Sequence, residues 1–352
     1  MNIGIITFHW AANHGAILQT YALQRYLQNT HRASVQIIDY CPKHLEHSVW
    51  NALRRCRPAA ILQALTDRKK NKKLKSFRSQ LPMTAHFCSN AQLIDADLNM
   101  DILITGSDQI WNPSFLMCGE KGGAPVYYLN FGGNETRKLS VSASFGCNML
   151  PERCHSIVKP LLQQFDGISV RENTGLDILQ ALSVDGGVVT ADPTALLSRE
   201  AYLDLCSQKS PFPVGSVTKM ILRRQTKEKK DLVSQIGKQF TRGRVYDLEF
   251  LSMPEWLAAI RDSKIVITNS FHCALLCLKL HTPFAVVLEG GARSGMNDRF
   301  STLLGNFGLL DRVVMTADDI ARLSREIDFA GVDLCMEEYA QTLKNYLERN
   351  IF

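Results

Sequence analysis

Apolar residues along the chain fall into short runs that alternate with polar loops and with stretches of three-to-four spacing. Residues 2–8 (NIGIITF) are a β-branched run of strand length. A polar loop runs from His9 to Gly15. In AILQTYALQRYL the apolar positions 17, 18, 21, 22 and 26 carry a helical spacing. SVQIIDY, at 34–40, predicts the next strand. Strand, loop, helix, strand is the unit that builds parallel sheets.

Residues 41–100 are less regular. The alternation resumes with DILIT (101–105), followed by GSDQIW, and with LSVSASF (139–145), followed by a helical stretch over Glu152–Phe165. GISV (167–170) with a helix after it, and GGVVTADPT (186–194), continue the pattern. Asp192-Pro193 closes that segment, because the residue before proline is pushed out of helical geometry. Residues 205–218 (LCSQKSPFPVGSVT) combine two prolines, a glycine and four hydroxyl residues, a linker composition. Beyond it come KMILR, a charged helix from about 228, RVYDL, MPEWLAAI, KIVIT, SFHCALLCLKL and FAVVL. Helices near Asp298–Leu304, Asp318–Asp328 and Met336–Arg349 finish the chain.

The pattern predicts an α/β protein: two doubly wound, Rossmann-like domains facing a central cleft. The N-terminal domain would span 1–204, the linker 205–218, the C-terminal domain 219–330 and a C-terminal helix 331–352. Ligands of such sheets lie outside the carboxyl ends of the strands.

Composition adds few constraints. With 352 residues, 45% hydrophobic and 21% charged, the chain has the mix of a globular protein and can build ordinary cores. MNIGIITF lacks the basic start of a signal peptide, and no window approaches a spanning helix. The ten cysteines form no C-x-x-C pair, which fits reduced thiols in a cytoplasm. The net charge of +6 is too weak to argue for nucleic acid but suits an anionic substrate or an anionic membrane surface. Seven of the eleven residues from Arg68 to Arg78 are basic. This run reads as a solvated helix face, or as a patch for an anionic membrane or an acceptor phosphate.

Three places put a strand end, polar residues and a helix start in succession, where free N–H groups favour anions. The first is His9 to Gly15. Asn13 suits a helix cap and Gly15 allows close backbone approach, while His9 and His14 put two imidazoles in six residues. The second is Gly106-Ser107-Asp108-Gln109. Ser107 or Asp108 suits a cap; alternatively, a carboxylate here binds sugar hydroxyls or serves as their general base. The third is Asn269-Ser270-Phe271-His272-Cys273. Ser270 suits a cap that also donates to an anion, and His272 would sit in the first helical turn, a setting for an acid–base histidine. Arg171 and Arg299 are forks for carboxylate or phosphate, or surface ion pairs. His44 and His47 stand at an HxxH spacing without further ligands, so no metal centre is expected. Cys273 and Cys277, four apart on an apolar helix, read as core. GxSxG, GxxxxGK[ST] and GxGxxG are all missing from the sequence.

Together these segments resemble the polysaccharide pyruvyl transferase family. The matching pieces, in family order, begin with NHGAILQTYALQ (13–24), DILITGSDQIWNP (101–113), SASFG (142–146), ISVRE (168–172) and ADPT (191–194). MPEW (253–256), TNSFH (268–272) and NDRFSTLLGNFGLLDR (297–312) complete them. The resemblance implies a GT-B-like fold and a transferase that moves the pyruvyl group of phosphoenolpyruvate onto two hydroxyls of one sugar. The product is a pyruvate ketal on a bacterial polysaccharide or its precursor, with phosphate released. It implies Arg171, His272 and Arg299 at the donor site, with Ser270 on the same helix start. Asp108 or His14 would be the acceptor base, with Asn13, Gly15 and Ser107 around the acceptor. The position after His272 is usually glycine in this family and is Cys273 here.

No cofactor or metal is implied beyond phosphoenolpyruvate as donor substrate. The implied partners are that donor and a sugar acceptor. A lipid-linked acceptor would give the basic run a purpose at the inner membrane surface, so the expected location is cytoplasmic, with peripheral membrane contact and no nucleic-acid partner. A nucleotide-sugar glycosyltransferase, with Glu289 on a ribose, and a carbohydrate-binding protein are the competing readings.

Overall fold

The computed structural model describes residues 1–42, 58–116, 125–222, 226–241, 243–288 and 297–351. The chain forms two compact units. One comprises Met1–Leu196 together with Ala340–Phe352, the other Leu197–Tyr339. Segment 205–218, expected as a linker, lies inside the second unit, and a strand already begins at Ser216.

The first unit holds a six-stranded sheet of β1 (Asn2–Ile6), β2 (Ser34–Ile37), β3 (Ile102–Asp108), β4 (Arg137–Ala143), β5 (Ser169–Val170) and β6 (Val188–Val189). Their spatial order is β2-β1-β3-β4-β5-β6 and every neighbouring pair is parallel. Central strands such as β3 are buried almost throughout, which is why they read as unbroken apolar runs. Helix α1 (His14–His31) follows β1. Asn13 opens it by accepting from the Gly15 amide at 3.0 Å, and Arg32, at φ 50°, closes it. Helix α2 (Pro58–Arg78) lies in the less regular stretch 41–100, and its second half is the basic run read as a helix face.

The second unit holds β7 (Ser216–Met220), β8 (Val245–Asp247), β9 (Ser263–Thr268), β10 (Phe284–Val287) and β11 (Val313–Val314), ordered β11-β10-β9-β7-β8 and again all parallel. Helices α3 (Lys227–Phe240), α4 (Met253–Arg261) and α5 (Phe271–Lys279) join its strands. Every residue of α5 is buried, His272 and Lys279 included, so the helix is enclosed on all sides. Helix α6 (Asp298–Asn306) follows β10. The fold class read from the sequence is therefore present: an α/β chain with two parallel, doubly wound sheets.

Two expectations are corrected. Residues 318–328 form no α-helix; a 3-10 helix covers Ala317–Ser324 instead. Its carbonyls, with that of Arg325, surround the buried Arg312 guanidinium, which also pairs with Asp311. No helix starts at Gln109 either. The strand continues through Ser107 and Asp108, and the next helical turn waits for Pro113. Trp111 holds the intervening turn by stacking on Tyr128 at 5.2 Å and donating to the Tyr127 carbonyl at 3.0 Å.

Candidate functional site

Each sheet reverses its strand order beside its first strand. β1 lies between β2 and β3, and β7 lies between β8 and β9. Ligands of open α/β sheets bind beyond the carboxyl ends of strands at such a reversal. The motifs singled out in the sequence fall at these two places.

In the first unit, the ends of β1 and β3 are tied together by Gln19 of α1. Its side chain donates to Thr7 Oγ1 at 2.8 Å and accepts from the Ser107 amide at 3.1 Å. Ser107 Oγ then donates to Asp192 Oδ2 at 2.7 Å. Asp192 Oδ1 accepts from the Thr194 amide and hydroxyl at 3.0 and 2.7 Å. Arg171, just beyond β5, is fully buried, and three carboxylates surround it. Its guanidinium is 3.3 Å from Asp192, 3.5 Å from Glu172 and 3.9 Å from Asp108. Glu172 also accepts from Ser144 Oγ at 2.6 Å. Of these three carboxylates, Asp108 keeps the most solvent exposure, 14% of its side chain.

Backbone geometry aims these groups. Asp108 is left-handed at φ 71°, and Gly106 has φ +118°. A Cβ at Gly106 would overlap the Val141 carbonyl oxygen of the neighbouring strand.

Asn13, His14 and Gly15 sit at the start of α1. Asn13 spends its side-chain oxygen on the cap, and His14 is buried at 1% exposure. His9 is buried too. One of its nitrogens faces the Thr7 carbonyl at 3.2 Å, the other Asp39 at 3.0 Å. His86 approaches the second Asp39 oxygen at 3.1 Å. Burial pushes the Asp39 carboxyl up, but the hydrogen bonds from His9 and His86 outweigh it and hold it below the usual carboxylate range.

In the second unit, Asn269 bridges the ends of β7 and β9. It accepts from the Leu222 amide at 2.6 Å and donates to the Leu222 carbonyl at 3.1 Å. Ser270 caps α5, its hydroxyl accepting from the Cys273 amide at 3.4 Å. His272 lies in the first turn, as its spacing predicts. The Phe271 ring meets the His272 ring edge-on at 5.4 Å and the Phe300 ring at 6.4 Å. Arg299, at the start of α6, lays its guanidinium 5.2 Å from the Phe300 centroid. The two helix starts carrying His272 and Arg299 are thus linked through two phenylalanines. Cys273 is fully buried one turn from the equally buried Cys277, so its side chain belongs to the apolar interior. The glycine-rich loop 290–295, Glu289, and the HxxH pair His44 and His47 lie outside the described residues. Among the described residues, no group of three His, Cys, Asp or Glu side chains is placed to hold a metal ion.

The structure therefore gathers Ser107, Asp108 and Arg171 in one unit, with Asn13, His14 and Gly15 at the adjoining helix start. It gathers Ser270, His272 and Arg299 in the other. Sequence reasoning missed Gln19, Ser144, Asp192 and Asn269. An available signal was Asp192-Pro193-Thr194, an N-cap with proline at the first helical position.

Two parallel sheets with polar clusters at their strand reversals define a doubly wound α/β protein. The sequence profile of the polysaccharide pyruvyl transferase family matches residues 13–289, and the chain belongs to that family. Membership supports a transferase with a role in polysaccharide pyruvylation. No curated protein matches the chain. Solved structures similar to it include the UDP-GlcNAc 2-epimerase of Methanocaldococcus jannaschii in complex with UDP-GlcNAc and UDP. That match has 12% identity and a TM-score of 0.47, covering 96% of this chain and 93% of that one. Another is the UDP-GlcNAc 2-epimerase of Neisseria meningitidis bound to UDP-GlcNAc, at 8% identity and a TM-score of 0.44, covering 98% and 100%. A third is UGT89C1 of Arabidopsis thaliana complexed with UDP-L-rhamnose, at 11% identity and a TM-score of 0.45, covering 99% and 97%.

Proposed function

We propose that this protein transfers the pyruvyl group of phosphoenolpyruvate onto two hydroxyls of one sugar in a bacterial polysaccharide or its precursor. A pyruvate ketal forms and phosphate leaves. The observation that carries this reading is the Ser270–His272 helix start at the strand reversal of the second unit, linked to Arg299 through Phe271 and Phe300.

His272 gives its proton to C3 of the enol, and C2 becomes oxocarbenium-like. A sugar hydroxyl adds to C2 as its proton passes to a base. Phosphate then departs with the C–O bonding pair, and the second hydroxyl closes the ketal as its proton passes to His272, which restores the acid. Arg299 and the capped start of α5 supply positive charge to the anionic donor. Asp108 is the base toward the acceptor hydroxyl, chosen over His14 because His14 is the more buried of the two. Arg171 takes a different role from the donor contact first expected. Flanked by Asp108, Glu172 and Asp192, it positions Asp108 from within the buried cluster.

Thermal unfolding with phosphoenolpyruvate, UDP-sugars and GDP-sugars tests the donor. A ligand at about 100 times its dissociation constant adds roughly 2.7 kcal/mol, a shift of several degrees. The expected result is a shift with phosphoenolpyruvate that is lost in Arg299→Ala. His272→Ala should lower turnover by about 10²–10⁴-fold with the fold intact. A shift with nucleotide sugars alone would replace the reading by glycosyl transfer.

A further inference from the structure

We infer that α2 is a docking helix for an anionic lipid surface. Among its residues Pro58–Arg78 are seven basic side chains and one acidic, a net of +6. The whole chain also carries +6, so all other residues together balance to zero. The protein's excess charge is therefore concentrated on one helix.

The helix uses its apolar side internally. Ala64, Leu74 and Phe77 are buried, and Phe77 packs on Tyr21 of α1 at 5.0 Å. Its one acid, Asp67, is turned inward and accepts from Gln63 at 2.9 Å. Arg78 is turned inward too, donating to the Ala11 carbonyl at 3.0 Å and to Asn71 at 2.9 Å. Arg68, Lys69, Lys72, Lys73 and Lys75 remain exposed. Four of them, with Leu65, border an open hollow of about 650 Å³.

Leu62 and Leu65, one turn apart, precede this cationic face and are 68% and 48% exposed. Exposed leucines beside a one-signed cationic face match the chemistry of a lipid headgroup layer, where cations meet phosphates and apolar side chains enter the acyl boundary. A single-stranded nucleic acid would call for exposed aromatic side chains to stack its bases. The only aromatic residue of α2, Phe77, is buried. The inference is independent of the pyruvyl-transfer reading, since it needs neither donor nor acceptor.

The test is co-sedimentation of the full chain with phosphatidylcholine vesicles, with and without phosphatidylserine, over a range of salt. Binding is expected only with phosphatidylserine and should weaken as salt shortens the Debye length. Each Lys or Arg near such a surface multiplies binding by roughly fivefold, so Arg68→Gln/Lys72→Gln/Lys75→Gln should weaken it about a hundredfold. Leu62→Ser/Leu65→Ser should remove the part that survives added salt. No binding to phosphatidylserine vesicles at low salt, equal binding to neutral vesicles, or undiminished binding by either variant overturns the proposal. Stronger retention of single-stranded RNA than of vesicles at the same salt also overturns it. If a variant misfolds, the lipid and salt dependence of the unaltered chain decides.

Discussion

Ser107 and Asp192, on segments 85 residues apart, share a hydrogen bond of 2.7 Å that joins the end of β3 to the turn after β6. The Asp192 carboxylate also accepts from Arg171 and twice from Thr194. Among the described residues the cluster is a buried ion network in which the Arg171 guanidinium lies within 4 Å of the carboxylates of Asp108, Glu172 and Asp192.

Removing the cation should therefore cost more than removing one neutral donor. Arg171→Met leaves buried carboxylates unmatched and should lose about 3–5 kcal/mol. Ser107→Ala removes one bond to a charged group and should lose about 1.5–3 kcal/mol. Urea unfolding of the two variants measures both, and the reverse order would show that the network does not stabilise the fold this way.

Gly106→Ala should be poorly tolerated although it adds one methyl group. The position has φ +118°, and the added carbon would meet the Val141 carbonyl oxygen. The backbone strain alone is worth roughly 1–3 kcal/mol, and β3 must also shift away from β4. A melting temperature equal to that of the unaltered protein would contradict this reading.

The carboxyl of Asp39 is held below the usual range by His9 and His86, despite burial. A group depressed in the folded state stabilises it above the unfolded pKa of about 3.9 and loses that contribution as pH falls through the folded value. Asp39→Asn should consequently be less stable than the unaltered chain near neutrality. The gap should close as the pH is lowered through and below about 4. Denaturant midpoints taken across that range check the sign, and a gap that widens toward low pH would refute it.

Cys273 occupies a position where the resemblance implies glycine. Its thiol is free and fully buried, one turn from Cys277. Cys273→Gly should lower stability by a few tenths of a kcal/mol for helix propensity, and further for the cavity it leaves. KM for phosphoenolpyruvate should stay unchanged. A marked fall in KM would mean that the thiol crowds the donor after all.

The alternation of buried strands and helices was legible because the central strands are covered on both faces and read as apolar runs. Helix α2 was legible only in its second half, where the basic run Arg68–Arg78 reads as a solvated helix face; its buried positions are too few to mark where it starts. Edge strands β6 and β8 fall inside the predicted GGVVTADPT and RVYDL segments, whereas β11, of two residues, is too short to leave a period. Individual site motifs could be seen since strand end, cap and helix start are local features. Their partnerships could not. Nothing near Arg171 in sequence announces Asp192, and Ser144 looks like one more polar residue in an alternating strand. The cap by Asn13 and the first-turn place of His272 were readable for the same local reason.

The last helix, Phe329–Ile351, belongs to both units: its residues through Tyr339 pack in the second, those from Ala340 in the first. Thr342 accepts from the Ala191 amide at 2.9 Å, and Asn350 packs against Gly167. A ribosome that has delivered residues 1–196 has thus not yet delivered everything the first unit contains. The second unit can close on itself as it emerges. The unit that comes earlier along the chain is completed only by its last helix.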